Sequence, residues 1–412
     1  MKHSSYDVIV IGAGPAGTVA ASLLIKRGWR VLILEKEEFP RFSIGESLLP
    51  QCMSFLKEAG LLEALESQAD GLSFQFKNGA AFHKQGQDSQ FDFTQKFSDG
   101  PGTTFQVKRA DFDHLLAEAS QQKGVEIQYQ TRVTALDVEA TRPKVWTLDS
   151  KGIQSELECG FVLDASGFGR VLPRLLALDA PSSFPVRQSL FTHVTDRIED
   201  SGFDRNKILI TVHPQRQDVW YWLIPFADGT ASVGVVGEAI ADAHQDPEPQ
   251  LLGWLNQAPN LRKLLARATV SAPVRNISGY TAAVTRLYGS NYALLGNAGE
   301  FLDPVFSSGV TIAMQSASLV APQVDAYLRG QEVDFDSGFA KPLVKGIDCF
   351  RAFVRAWYDG RFQDVIFYQQ QDDRVRRMIS AILAGYAWDE SNPYVAQSER
   401  RLDTLVRLCQ SD

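Results

Sequence analysis

Short, continuous apolar runs rich in Val and Ile occupy residues 7–11 and 31–34, the pattern of strands buried on both faces. Residues 18–27, between them, keep helical spacing. Farther on the period changes to two. Residues 72–93 predict two strands around a turn, and 103–107 a returning strand. Residues 125–129, 133–138, 144–148 and 156–163 alternate as a β-meander would. Residues 188–234 are strand-like again, with the clearest hairpin turning at Asp228-Gly229. Residues 291–295 form one more run of the doubly buried kind. Helical spacing marks 53–61 behind Pro50, 108–122 with Phe112, Leu115 and Leu116 inward, 247–268, and the chain from about 309. From about 335 the chain is helical, and its aromatics at 350–367 look exposed; composition leaves open whether they floor a pocket or join a core.

The join between the first strand and helix carries Gly12, Gly14 and Gly17, with Ala16 between them, and the second strand ends in Glu35. Glycines alone close turns. In the order strand, glycines, helix, strand, acid, each residue has a task in holding an adenine dinucleotide. Gly12 makes the turn, Gly14 admits the pyrophosphate, Gly17 lets helix and strand touch, and Glu35 accepts a ribose hydroxyl. Strands of this type stand at both ends of a β-rich middle. The expected fold is therefore α/β (α+β): a Rossmann-type domain made discontinuously of 1–70, 103–175 and 288–330. Into it are inserted the β-rich segments 71–102 and 176–287, expected to carry the substrate, and a helical region follows at 331–412.

Composition narrows the partners. The 412 residues are 44% hydrophobic and 22% charged, with a formal charge of −8, so nucleic acid or an anionic membrane is not the expected surface. No apolar run approaches a membrane span, and the N-terminal one enters a nucleotide motif. Cys52, Cys159, Cys349 and Cys409 form no metal-ligand spacing, which predicts no metal, no disulfide framework and a reducing cytoplasm.

Three loops stand out. Arg41 and the Gly45-Glu46-Ser47 turn follow the nucleotide strand, either as an ordinary loop before a helix or as a cover lying along the cofactor. Asp164, Gly167 and Gly169 at a strand end suggest a second close approach of backbone to cofactor. Residues 301–309, FLDPVFSSG, read as a plain loop with Ser307 or Ser308 as helix cap, or as a ligand loop. Glu46 and Asp303 read as solvated turn acids.

Taken together, the GAGPAG turn with Glu35, DASG at 164–167, and GNAGEFLDP after the late strand resemble the flavin monooxygenase fold of the hydroxybenzoate-hydroxylase type. Trp220-Tyr221-Trp222-Leu223-Ile224-Pro225 matches the WxWxIP of flavin-dependent halogenases, and residues 301–309 match their FxxPxxSxG. Lys77, in FKNGAAF, stands where that family places its essential lysine. The resemblance covers most of the first 330 residues. It implies FAD, held by Gly12, Gly14, Ala16, Gly17, Glu35, Arg41, Ser47, Arg109, Asp164, Gly167, Gly296, Asn297 and Asp303. It implies chloride or bromide held in the loop of Pro304, Ser307, Ser308 and Gly309, with the backbone N–H groups of the last three as donors. In that family reduced flavin, oxygen and halide yield hypohalous acid, which Lys77 delivers to an electron-rich ring. Trp220, Trp222, Ile224 and Pro225 wall the ring off from the flavin. By residues alone, the two tryptophans share a strand face that core packing also explains, and Lys77 reads as an ordinary solvated lysine.

The chain departs from its relatives in two places. Where the tryptophan-halogenating branch carries a glutamate, this chain has Phe306, which points to phenols or pyrroles, free or tethered to an acyl-carrier protein. The late flavin motif reads Gly296-Asn297-Ala298 rather than GDA. Reduced FAD (FADH2) is expected from a separate flavin reductase, since no second nicotinamide fingerprint is present. The competing readings are an aromatic hydroxylase on the same fold, a reductase of isoprenoid double bonds, and a non-catalytic flavin carrier.

Overall fold

The computed structural model describes residues 5–140, 142–370 and 372–411. Its first sheet has the parallel order Glu126–Gln128, Val31–Leu34, Ser5–Ile11, Gln154–Asp164 and Tyr292–Leu294. The strand Gln154–Asp164 serves two neighbourhoods. Its C-terminal half pairs with Ser5–Ile11 and Tyr292–Leu294, and its N-terminal half continues antiparallel into Lys144–Asp149 and Thr131–Asp137. The strand order reverses between Ser5–Ile11 and Gln154–Asp164, which is where an open α/β sheet takes its ligand.

The segment Glu126–Gln128 is not part of the meander that alternation suggests. It closes the nucleotide sheet beside Val31–Leu34, because the preceding helix Arg109–Gln122 packs on the glycine-motif helix and returns the chain there; the two helices share a buried Ser22–Ser120 hydroxyl contact of 3.0 Å. That first helix also begins earlier than its apolar spacing indicates, at Pro15, so the glycine turn runs straight into it.

The second sheet orders Thr269–Val270, Gln188–Thr195, Thr230–Gly237, Trp220–Pro225, Lys207–Val212, Gly79–Lys84 and Gln87–Asp92. The predicted two-stranded 72–93 is three strands. Gln75–Lys77 leaves the sheet to pair with Thr104–Gln106, and Gly79–Lys84 then joins Lys207–Val212 in parallel. Gly79 permits this turn, since a Cβ there would fall 2.2 Å from the Phe91 carbonyl oxygen. Lys77 is thereby carried between the two sheets.

The C-terminal aromatics are core. Phe350, Phe353, Trp357 and Phe362 are each at most 1% exposed, because the helices Lys341–Tyr358 and Arg361–Phe367 pack on each other and on Phe306. Among the described residues, no helix is long and apolar enough to cross a membrane, and no cluster of His, Cys, Asp or Glu could hold a metal ion.

Candidate functional site

A cavity of about 350 Å³ opens at the strand-order reversal. Gly12, Gly14 and Ala16 line one end, and Gly167 of the DASGFGR turn lies opposite. The glycines differ in why they are needed. Gly12 has φ +101°, and a Cβ on it would sit 2.6 Å from the Ala165 carbonyl oxygen. A Cβ on Gly17 would sit 2.0 Å from the Gly12 oxygen, so that glycine serves packing behind the turn. A Cβ on Gly14 would meet no protein atom closer than 3.8 Å; the space it leaves is the cavity's own.

Glu35 is 4% exposed and lines the cavity, with Oε2 accepting from Ala13 N at 2.9 Å and Oε1 from Glu37 N at 3.0 Å. Arg41 and Arg109 reach the same end, both held by Asp113. Arg41 Nη1 donates to Asp113 Oδ2 at 2.8 Å, and Arg109 Nε to Asp113 Oδ1 at 2.8 Å. Two guanidinium groups above a glycine turn at a helix N-terminus suit a pyrophosphate. Asp113 escaped the sequence reading, although its place four residues after Arg109 on an amphipathic helix is the signal that finds it.

Several expected cofactor residues stand one layer back. Asp164 is fully buried and accepts from Ser166 N at 2.9 Å and Leu172 N at 2.6 Å, so it shapes the DASG turn rather than facing the cavity; burial pushes its carboxyl up. Gly296 has φ +51° and lies against Ala313, while Asn297 faces the cavity. Pro225 and Ser308 are also outside the lining.

At the other end, Trp220, Trp222 and Ile224 form the wall. Their strand is buried along its whole length, so the two tryptophans both pack and face the cavity. Trp222 Nε1 donates to Ser232 Oγ at 3.1 Å, and a Cβ on Gly234 would strike the indole at 2.3 Å. Trp220 Nε1 donates to Tyr358 Oη at 2.9 Å, and Tyr358 donates to Asp303 Oδ2 at 2.9 Å. Asp303 Oδ1 accepts from Val305 N at 3.0 Å and so shapes the FLDPVFSSG turn. Asp303 is no solvated turn acid. It is 1% exposed, and burial pushes its carboxyl up to about 6 against the opposing pull of Arg187, 3.9 Å away. Glu46, at 2% exposed, is buried too, because its loop is clamped from above by the second sheet through His193.

Ser307 occupies the N-cap of the helix Ser308–Leu328 in the left-handed region (φ 55°), but its side chain makes no capping bond. The N–H groups of the first turn therefore receive no acceptor from the Ser307 side chain. Pro304, Ser307 and Gly309 line the cavity. A Cβ on Gly309 would sit 3.1 Å from the Phe301 ring, which accounts for two letters of the motif at once.

Lys77 is the largest departure from a plain reading of its residue type. It is 0% exposed, donates from Nζ to Ser47 Oγ and to the Leu48 carbonyl oxygen, each at 2.7 Å, and lies 5.6 Å from the centre of the Phe93 ring. Burial lowers its ammonium to about 7. Lys77 does not touch the cavity; Ser47 does, so one hydroxyl separates the lysine from the cofactor's space.

Fold, glycine turn, paired arginines and the buried Glu35 at the cavity suit an FAD-binding protein, and the two guanidinium groups fit that cofactor's charge. The chain belongs to the FAD-binding-domain family, whose profile matches residues 5–334. Within it, the sequence sits among flavin-dependent halogenases. It is 31% identical to a tryptophan 2-halogenase of Chondromyces crocatus over 81% of this chain and 63% of that protein, so it spans less than two thirds of that relative. It is 28% identical to a 1H-pyrrole-2-carbonyl-[peptidyl-carrier protein] chlorinase of Pseudomonas fluorescens, over 99% of this chain and 93% of that one. A crystal structure described as a flavoprotein/dehydrogenase from Cytophaga hutchinsonii superposes with a TM-score of 0.94 at 42% identity, covering 99% of both chains.

Proposed function

We propose that the protein is an FAD-dependent halogenase acting on an electron-rich aromatic ring. The observation that carries this reading is Lys77, sealed in the protein, lowered to about 7, and one hydroxyl away from the cofactor cavity. Bound reduced FAD supplies the electrons that turn oxygen and halide into hypohalous acid. The protein's own residues do the rest. Asp113 holds Arg41 and Arg109 over the glycine turn, where they bind the pyrophosphate. The N–H groups after Ser307 hold the halide. Trp220 and Trp222 keep the ring away from the flavin, and the hydroxyl of Ser47, on the cavity lining, meets the oxidant ahead of the amine of Lys77 behind it. A lysine near 7 is in part a neutral amine at physiological pH, able both to donate a hydrogen bond to hypohalous acid and to accept the halogen.

The carrier-bound pyrrole named for the Pseudomonas relative supports a phenol or pyrrole, free or tethered, as substrate. The Chondromyces relative keeps tryptophan in the panel. Reduced flavin comes from a separate reductase in this reading. The test supplies FAD, a flavin reductase, NADH, oxygen and bromide or chloride with small phenols, carrier-bound pyrrole-2-carbonyl and tryptophan. A product with a halogen isotope pattern, absent with Lys77→Ala, is the expected result. A product heavier by one oxygen, formed equally without halide, replaces this reading with the hydroxylase.

A further inference from the structure

We propose that Glu46 and His193 form a proton relay from solvent into the cofactor cavity. Glu46 lines that cavity, yet its side chain is 1% exposed. Oε1 lies 2.6 Å from His193 Nε2, while Oε2 is buried with no partner among the described residues. A buried carboxylate oxygen without a donor is costly unless a ligand or water brings one. Here the oxygen belongs to the wall of a ligand cavity. His193 has 21% of its side chain in contact with solvent, so the pair reaches from bulk water to the cofactor's space in one hydrogen bond.

The neighbours leave this pair as the exchanger. Arg109 approaches the Gly45 carbonyl oxygen at 3.5 Å but is paired with Asp113. Lys108 lies over the Phe226 ring, against which His193 packs, and is paired with Asp228. Arg275 covers Phe42, whose ring is 6.3 Å from that of His193. Lys77 reaches no nearer than Ser47, the residue after Glu46. Guanidinium groups do not give up protons near neutrality, and both oxygens of Glu35 already accept backbone donors. Histidine does exchange there.

The chemistry rests on the halogenase reading. Forming one hypohalous acid follows FADH2 + O2 + X− + H+ → FAD + HOX + H2O. The O–O bond breaks and an X–O bond forms; oxygen takes two electrons from the flavin and two from the halide, and one oxygen leaves as water. Each turnover therefore draws one proton into a cavity walled by Trp220, Trp222 and Phe42. His193 supplies it through Glu46 and is recharged from solvent.

The test uses FAD-loaded protein, reduced anaerobically and mixed with oxygen and bromide in the absence of an aromatic, with flavin absorbance followed across a pH series. Glu46→Gln and His193→Gln keep the shape of the pair and should bind FAD as the wild type does. Both should slow reoxidation by about a hundredfold and flatten its pH dependence. His193→Ala should recover with added imidazole, a small acid that fills the vacated, solvent-reached space. Reoxidation with wild-type rate and pH profile in both glutamine variants overturns the relay. So does a slowing that imidazole fails to relieve. Wild-type protein that yields no halogenated product, beside a His193→Ala variant whose slowed reoxidation imidazole relieves, would remove the halogenase reading and keep the relay.

Discussion

Replacing Lys77 by Met tests the buried amine through stability rather than turnover. Lys77 has its ordinary value of 10.5 in the unfolded chain and about 7 in the folded one. Between those values the unfolded chain binds more protons, so stability rises with pH through that window. The full difference corresponds to about 5 kcal/mol, of which about 2 kcal/mol is recovered between pH 7 and pH 9. Met removes that titration and leaves the Ser47 hydroxyl and Leu48 carbonyl without their donor, at about 1–3 kcal/mol for each group left unsatisfied. The two effects nearly cancel at pH 7, and at pH 9 the variant should be the less stable protein. Urea unfolding of both proteins across pH 6.5–9.5 reads the difference directly, because other titrating groups subtract out. Parallel stability profiles would refute the reasoning, since they would mean that Lys77 keeps its ordinary value inside the fold.

Tyr358→Phe should cost about 1–3 kcal/mol in urea unfolding, because it strands both the Trp220 N–H and an Asp303 oxygen in the core. Asp303, raised from 3.8 to about 6, binds more protons folded than unfolded between those values, so it makes stability fall as pH rises through that window; Asp303→Asn should flatten the profile there. Gly14→Val and Gly17→Ala should separate ligand from fold. The first should abolish FAD binding in a fluorescence titration with little change in unfolding, while the second should lower stability itself.

What could be read from the residues was whatever a local pattern enforces. The nucleotide strand, its glycines and Glu35 lie within thirty-odd residues and have no other consistent reading. The FLDPVFSSG and WxWxIP stretches are continuous as well, so the cavity's two ends could be anticipated. What escaped depends on chain segments far apart in sequence. Asp303 and Glu46 look like turn acids until Tyr358, Arg187 and His193 arrive from other elements. Lys77 looks solvated until Ser47 and Leu48 close over it. Residues 125–129 read as part of the meander because so short an alternation says nothing about which strand lies beside it. The aromatics at 350–367 stay undecided between pocket and core in the sequence, because helical spacing shows a face, while its partner, Phe306, lies in another motif.

The bond between Trp220 and Tyr358 spans 138 residues of chain. At a ribosomal pace of about 5–20 residues per second, the indole is made about 7–28 s before the hydroxyl that receives it. For that interval the nascent wall lacks its anchor, and the FLDPVFSSG loop, synthesised in the meantime, lacks the phenol that joins the two. The glycine turn and the nucleotide strands up to Asp164 are by then long complete, and only Tyr292–Leu294 of that sheet is made within the interval. A ribosome-stalled chain ending before residue 358 is therefore expected to hold FAD less firmly at its ring end than at its phosphates, and release of the C-terminal helices is the step that completes the site.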